Sequence, residues 1–261
     1  MHKTNSDQFE VRLTINNAEV LAAQKLRYKV FVKEFGAKVS KEHEAQLVER
    51  DKFDPYCDHL VLIDKRAKNR LSGSNIVGTM RLMESRVAHR ALGFYSATEY
   101  DLDKLTAEHK KSLEIGRACV DKKYRGSLAI HFLWLGLAEY SIKREIVLLF
   151  GVASFHGTNA SKFGSALTLL KQKFSAPERL KFRAKESGYI DMNIIPLNLL
   201  NHKIAMDQMP GLLKAYLRMG ARVSDGAFVD NKFNTIDVGL MIKTNSMNSK
   251  YKELYSGSKK K

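Results

Sequence analysis

The fold class follows mainly from residues 113–143, which read LEIGRACVDKKYRGSLAIHFLWLGLAEYSIK. Residues 113–120 are rich in apolar side chains and predict a strand, and residues 128–143 predict a mostly buried helix. A wholly apolar run at 146–153 predicts a second buried strand. A strand, a helix and a strand in this order indicate an α/β domain around a mixed central sheet flanked by helices.

The segments on either side add strands and helices to this unit. Further strands are predicted at 9–15, 59–64 and 76–83, and a closing β-hairpin at 221–230 and 233–242. Further helices are predicted from the N-cap Asn17 to about Phe35, at 159–173, and at 210–219, where Pro stands first and Gly220 ends the helix. Residues 38–56 are polar and aperiodic, so we expect a long loop with a function.

The domain organisation predicted from composition is simple. Of the 261 residues, 9–244 form one domain, 1–8 are a flexible N-terminus, and 245–261 are a basic disordered tail. The two cysteines and the scattered histidines show no metal-ligand spacing, so neither a disulfide scaffold nor a metal site is expected.

Charge is the strongest compositional signal. Lys and Arg number 44 against 28 Asp and Glu, a formal charge of +16 that predicts an acidic partner. Nucleic acid, an anionic membrane surface and an acidic protein all fit that charge. Because no apolar run approaches the roughly 20 residues of a membrane-spanning helix, we expect a cytoplasmic protein, with peripheral contact at the inner membrane face left open.

The basic turn between the predicted strand and helix is the clearest candidate for anion binding. Backbone N–H groups at a helix N-terminus carry partial positive charge and favour a phosphate. A solvated turn is the alternative reading. The candidate residues are Val120, Lys122, Lys123, Arg125, Gly126 and Ser127.

This strand, turn and helix resemble the acyl-carrier-binding segment of the GNAT acyltransferase superfamily, in the subgroup whose strand ends with Glu–x–Gly–Arg. Other segments extend the resemblance over residues 9–242: LRYKVF at 26–31, DKFD at 51–54, GTMRL at 78–82 and SFHGT at 154–158. In this order they are similar to the bacterial N-acyltransferases that begin ornithine lipid synthesis. The resemblance implies a GNAT-type fold.

That family implies a reaction and its partners. The expected activity is transfer of a 3-hydroxyacyl chain from acyl carrier protein to the α-amine of an amino acid, most simply ornithine. The phosphopantetheine arm of the carrier is the donor, and no permanently bound cofactor is implied. One alternative is an autoinducer (acyl-homoserine lactone) synthase. The other is a non-enzymatic basic module, although no base-stacking arrangement supports nucleic-acid binding.

The predicted acceptor site combines a buried cation with loop carboxylates. Arg27 lies on the apolar face of the first helix and needs a charge partner. Pairing with Glu114 or Asp51 would shape the acceptor pocket, and a purely structural ion pair with a loop carboxylate is the alternative. Glu49, Asp51 and Asp54 cluster just before a strand, where carboxylates would select a cationic acceptor. A solvated loop is the alternative. The predicted acceptor-binding residues are Arg27, Phe31, Asp51, Asp54 and Arg81.

Glu114 and Arg117 are the predicted catalytic residues. They would face opposite sides of a regular strand, but a bulge at Gly116 would turn both into one cleft and free a backbone N–H for the oxyanion. A structural salt bridge between them is the alternative. Glu114 is the candidate general base for direct attack of the amine on a thioester, so Cys119 is predicted to be a core residue and not a nucleophile.

Overall fold

The computed structural model describes residues 8–66, 75–108, 110–126 and 128–246. These residues form an α/β domain whose strands build a mixed sheet. The strands are β1 Phe9–Leu13, β2 Asp58–Asp64, β3 Ile76–Glu84, β4 Tyr100–Asp101, β5 Ser112–Val120, β6 Leu148–His156, β7 Arg183–Ala184, β8 Tyr189–Ile190, β9 Arg222–Asp230 and β10 Thr235–Lys243. The predicted flexible N-terminus and basic tail lie almost wholly outside the described residues.

The strand order is β1-β2-β3-β5-β6-β10-β9-β7-β4, with β8 beside β9. The pairs β5/β6 and β7/β9 are parallel, and the other pairs are antiparallel. The predicted mixed sheet and its closing hairpin, β9/β10, are therefore confirmed.

Helices cover both faces of the sheet. They are α1 Asn17–Arg27, α2 Lys41–Gln46, α3 Ser85–Ala88, α4 Asp103–Glu108, α5 Ala129–Lys143, α6 Gly164–Phe174, α7 His202–Gln208 and α8 Gly211–Arg218. One face packs against α5 to α8, and Leu133 and Leu137 of α5 are fully buried there. The opposite face packs against α1 and the segment 85–108. Among the described helices, none is both long and apolar enough to cross a membrane.

The sheet splits between β5 and β6. These strands pair only from Ser112↔Leu148 to Glu114↔Phe150, after which β5 continues beside β3 and β6 beside β10. At the split a Cβ on Gly151 would lie 2.3 Å from the Ile115 carbonyl oxygen, so only glycine permits this approach. A small apolar pocket opens there and is lined in part by Ile115, Gly151, Tyr216 and Leu240.

Several boundaries differ from the sequence predictions. Asn16, not Asn17, is the N-cap of α1, because its side chain accepts the Glu19 N–H at 3.0 Å. The helix does reach Glu34, but it widens into a π-helix over Tyr28–Glu34. The predicted loop at 38–56 contains α2, whose residues are all at least partly exposed, so it has no apolar periodicity to detect.

Candidate active site

A buried network of three arginines and three carboxylates lies on the α1 side of the sheet. We call it the ion network: Arg27, Arg81, Arg117, Glu49, Asp51 and Asp54. Its members come from α1, the loop before β2, β3 and β5. Three positive and three negative charges balance, as burial of ionised groups demands.

Arg27 is fully buried and holds the loop before β2. Its Nε donates to Glu49 Oε2 at 2.6 Å, and its two Nη atoms donate to Asp54 Oδ1 and Oδ2 at 2.6 and 2.9 Å. Burial alone would lower the pKa of Arg27, but the charges of Glu49 and Asp54 outweigh it and raise the pKa. The predicted pairing of Arg27 with Glu114 or Asp51 is wrong, because α1 brings Arg27 directly against Glu49 and Asp54. The alternative, an ion pair with a loop carboxylate, is confirmed.

Asp51 bridges the other two arginines. Its Oδ1 accepts from Arg81 Nη1 at 2.6 Å and its Oδ2 from Arg117 Nη2 at 3.0 Å. Arg117 Nε also donates to Glu49 Oε1 at 3.1 Å. The assignment of Asp51 and Asp54 to acceptor binding stays a prediction, and in this structure arginines balance both charges. Arg81 Nη2 is buried and has no hydrogen-bond partner among the described residues.

The predicted bulge in β5 is present. The pairing of β3 with β5 shifts between Thr79↔Cys119 and Arg81↔Gly116. The left-handed residue is Arg117, with φ 50°, and not Gly116. A non-glycine residue pays about 1–2 kcal/mol for this conformation, so the surrounding contacts must stabilise it.

Two aromatic rings contact the Arg117 guanidinium. Its central carbon lies 4.3 Å from the ring centroid of Tyr95 and 4.4 Å from that of Phe233. Phe31, a predicted acceptor residue, is half-buried and packs edge-on against Phe233 at 6.2 Å. Stacking and ion pairing together orient Arg117 within the cleft.

Glu114 is buried and anchors the segment that covers this face of the sheet. Its carboxylate accepts the Ser96 N–H at 2.6 Å and the Tyr95 N–H at 3.0 Å. The alternative of a salt bridge between Glu114 and Arg117 is therefore wrong. The catalytic roles of Glu114 and Arg117 stay predictions.

Three further carboxylates, which the sequence analysis missed, form a buried acidic cluster: Glu99, Asp230 and Asp237. One oxygen from each lies within 4.8 Å of the others. Burial, with the charges of Asp237 and Asp230, raises the pKa of Glu99 well above its usual value. Burial also raises the pKa of Asp237 to about 6. The one available signal was Asp237, a charged residue inside the apolar strand β10.

The basic turn forms ion pairs and hydrogen bonds that its sequence does not predict. Arg125 forms a two-point ion pair with Glu34, whose second contact is 2.8 Å, and its Nε donates to the Val120 carbonyl. Lys122 and Lys123 are exposed. Gly126 adopts φ 78° at the turn, and Ser127 lies outside the described residues. The donor-binding role of this turn stays a prediction, with Lys122 and Lys123 as its available cations.

Comparison with known proteins places this site in context. Residues 26–135 match the model of the "Acetyltransferase (GNAT) domain". The chain is 43% identical to an L-ornithine N(alpha)-acyltransferase of Rhodobacter capsulatus, over 95% of each chain. It is 38% identical to an L-ornithine N(alpha)-acyltransferase of Brucella abortus, over 94% of this chain and 88% of that one.

The similar solved structures share the fold at low sequence identity. FeeM, an N-acyl amino acid synthase from uncultured soil microbes, has a TM-score of 0.53 at 11% identity, covering 92% of both chains. The CoA-dependent acyl-homoserine lactone synthase BjaI has a TM-score of 0.50 at 11% identity, covering 96% of this chain and 88% of that one. The expected GNAT-type fold is confirmed.

Proposed function

This chain belongs to the family of L-ornithine N(alpha)-acyltransferases, and we propose that it transfers an acyl chain from a thioester to the α-amine of ornithine. The observation that carries the proposal is 43% identity over 95% of both chains to a relative of that name. The split sheet supports it, because β5 and β6 separate directly beside the buried Glu114. The product is an N-acylated ornithine, the lyso form of an ornithine lipid.

The proposed mechanism is direct attack of the amine on the thioester carbonyl. The neutral form of the α-amine is the nucleophile, and near pH 7 it is a minor fraction of the acceptor. The carbon–nitrogen bond forms, and Glu114 takes a proton from the amine nitrogen directly or through a water. The carbon–sulfur bond then breaks, and the departing thiolate receives that proton and leaves as the thiol. A backbone N–H freed at the bulge would stabilise the oxyanion.

Arg81 is the proposed partner of the acceptor carboxylate. Its Nη1 is held by Asp51 and Asp54, while its buried Nη2 has no partner among the described residues. A guanidinium fixed on one side and free on the other is suited to bind a carboxylate. This contact would orient the α-amine toward the split between β5 and β6.

We propose that the donor is acyl carrier protein carrying its phosphopantetheine arm. Carrier proteins of this kind are acidic, and this chain has a formal charge of +16. Exposed Lys122 and Lys123 precede α5, whose N-terminus favours a phosphate. The same positive charge would support peripheral contact with an anionic membrane, which sedimentation with phosphatidylglycerol vesicles at low and high salt would measure.

Expression in a host that makes no aminolipids tests the proposed function. Mass spectrometry of the extracted lipids should show an N-acylated ornithine that is absent from the vector control. An acyl-homoserine lactone in the medium would instead support an autoinducer synthase, the alternative that shares this fold. If neither product is detected, the result would contradict an N-acyltransferase that acts on either acceptor.

A further inference from the structure

The acidic cluster has charge and hydrogen-bonding capacity that its surroundings leave unused. Glu99 is 2% exposed and Asp237 is 3% exposed. No donor among the described residues has both the distance and the angle of a hydrogen bond to either oxygen of Glu99 or to Oδ1 of Asp237, although the Tyr95 hydroxyl faces Glu99 and the Ser154 and Thr235 hydroxyls face Asp237. Leaving buried acceptors unsatisfied is costly, so these atoms point to a ligand that supplies positive charge and N–H donors.

Tyr95 connects the acidic cluster to the ion network. Tyr95 receives Arg117 on its ring face, donates its N–H to Glu114 and reaches Asp230 Oδ2 with its hydroxyl at 3.4 Å. Asp237 of β10 pairs in register with Ser154 of β6. The cluster therefore lies on the same side of the sheet as Glu114, across the β5/β6 split from it.

We propose that Glu99, Asp230 and Asp237 bind the δ-ammonium of the ornithine acceptor and make the enzyme selective for an amino acid with a terminal cation. The inference rests on the proposed function. An alkylammonium has three N–H donors. Three carboxylate oxygens within 4.8 Å of one another leave room for one nitrogen at about 2.8 Å from each. With Arg81 on the carboxylate and Glu114 on the α-amine, each polar group of ornithine has a partner.

The charge balance also favours a cation here. The positive charge of Arg117 acts to lower the pKa of Glu99. Arg117 is already paired with Glu49 and Asp51 in the ion network. In a chain of formal charge +16, three adjacent buried carboxylates therefore stand out as a cation site. Asp230 Oδ1 accepts the N–H groups of Lys232 and Phe233, which fixes that carboxylate in place.

The first test compares L-ornithine with L-norvaline, which has the same carbon chain without the δ-amine. For wild-type enzyme we expect kcat/KM to favour ornithine by at least about 30-fold, the size of effect typical of a buried charge pair. In Glu99→Gln and in Asp237→Asn the KM for ornithine should rise by about tenfold or more. The rate with norvaline should stay within about threefold. Glu186→Gln, an exposed carboxylate that pairs with Arg183, is the matched control.

The second test uses wild-type protein alone, so it does not depend on whether a variant folds. The ratio of kcat/KM for ornithine to that for norvaline should fall as pH is lowered through the titration of Glu99 and Asp237, because protonated carboxylates lose their attraction for the ammonium. Burial raises the pKa of both groups, and raises that of Asp237 to about 6. Titration of the α-amine cancels in this ratio. The groups that face the cluster are Tyr95, Tyr100, Arg117, Ser154 and Thr235. The ordinary pKa values of tyrosine and arginine side chains lie far above 6, so these residues do not titrate in the range of the test.

The outcomes separate the two proposals. A wild-type enzyme that acylates ornithine with unchanged preference in both variants, or with a flat ratio across pH, overturns the ammonium site alone. An enzyme that acylates neither amino acid overturns the proposed function and the inference with it. Calorimetric titration with MgCl₂, CaCl₂ or MnCl₂ that shows binding lost in Glu99→Gln would assign the cluster to a metal and overturn the inference.

Discussion

Arg27 and Asp54 form a two-point ion pair in the interior of the protein, with Nη1–Oδ1 and Nη2–Oδ2 distances of 2.6 and 2.9 Å. The pair joins α1 to the loop that precedes β2. Because Asp54 also contacts Arg81 of β3, one carboxylate ties a helix and a strand together. The loop is therefore part of the rigid frame of the site.

Arg27→Met should destabilise the protein strongly, because it leaves Glu49 and Asp54 buried with one partner fewer. We expect the free energy of unfolding in urea to fall by about 3–5 kcal/mol. Arg12→Met removes a partly exposed pair with Glu19 and should lose about 1 kcal/mol or less. Similar losses in the two variants would contradict the buried network.

Acid should unfold the protein through the same network. Burial raises the pKa values of Glu49 and Asp54, but the arginines outweigh it and lower both. A carboxylate whose folded pKa is depressed stabilises the protein above its unfolded pKa of about 4 and loses that contribution as pH falls further. The free energy of unfolding should therefore drop steeply below about pH 4. A stability curve that stays flat from pH 5 to pH 2 would contradict this.

The split of the sheet should depend on Gly151. A Cβ there would lie 2.3 Å from the Ile115 carbonyl oxygen, which belongs to the backbone and cannot move aside cheaply. Gly151→Ala should lower the free energy of unfolding by about 2 kcal/mol or more. Gly116→Ala is the matched control, since nothing lies within 4 Å of its Cβ position. The account fails here if the control is as unstable as Gly151→Ala.

Glu114→Gln tests the proposed general base. The amide keeps the size of the side chain and an oxygen for the Ser96 or Tyr95 N–H, but it cannot take the amine proton. We expect kcat to fall by about 10²–10⁴ at neutral pH. The thermal midpoint should fall only modestly, because one of the two N–H groups loses its acceptor. Unchanged kcat would remove Glu114 from the mechanism. A large fall in the thermal midpoint together with the fall in kcat would make its role structural.

Docking of the carrier protein is tested by charge reversal at the turn before α5. Lys122→Glu with Lys123→Glu should raise KM for the acyl carrier substrate, and higher ionic strength should shrink the difference from wild type, because screening shortens to about 8 Å near 0.15 M. Activity on a short pantetheine thioester should change much less. Arg125 is left intact, since it holds Glu34. Equal losses on both donors would contradict docking at this turn.

Much of the fold could be predicted because its strands and long helices carry regular apolar patterns. The strand–turn–helix of β5 and α5 and the closing hairpin β9/β10 are examples. The segment 85–108 could not be predicted, since it is built of short helices and a two-residue strand. That segment supplies Tyr95 and Glu99, and so these two residues of the candidate site were missed.

The partners of the site residues were harder to predict than the residues themselves. Arg27, Asp54 and Arg81 were expected in the acceptor site, and the structure brings them into one network. Their pairing depends on how a helix and two strands pack, which no local pattern encodes. Glu99 and Asp237 are 138 positions apart in the chain. They come together only because the segment 85–108 packs against the sheet that holds Asp237.

The most direct test of the central claim is reconstitution with purified protein, 3-hydroxyacyl carrier protein and L-ornithine, followed by mass spectrometry of the product. The account predicts a single acyl chain on the α-nitrogen, identified by fragmentation, and one free thiol released for each amide formed. An acyl chain on the δ-nitrogen, or product formed from S-adenosylmethionine and not from ornithine, would contradict it.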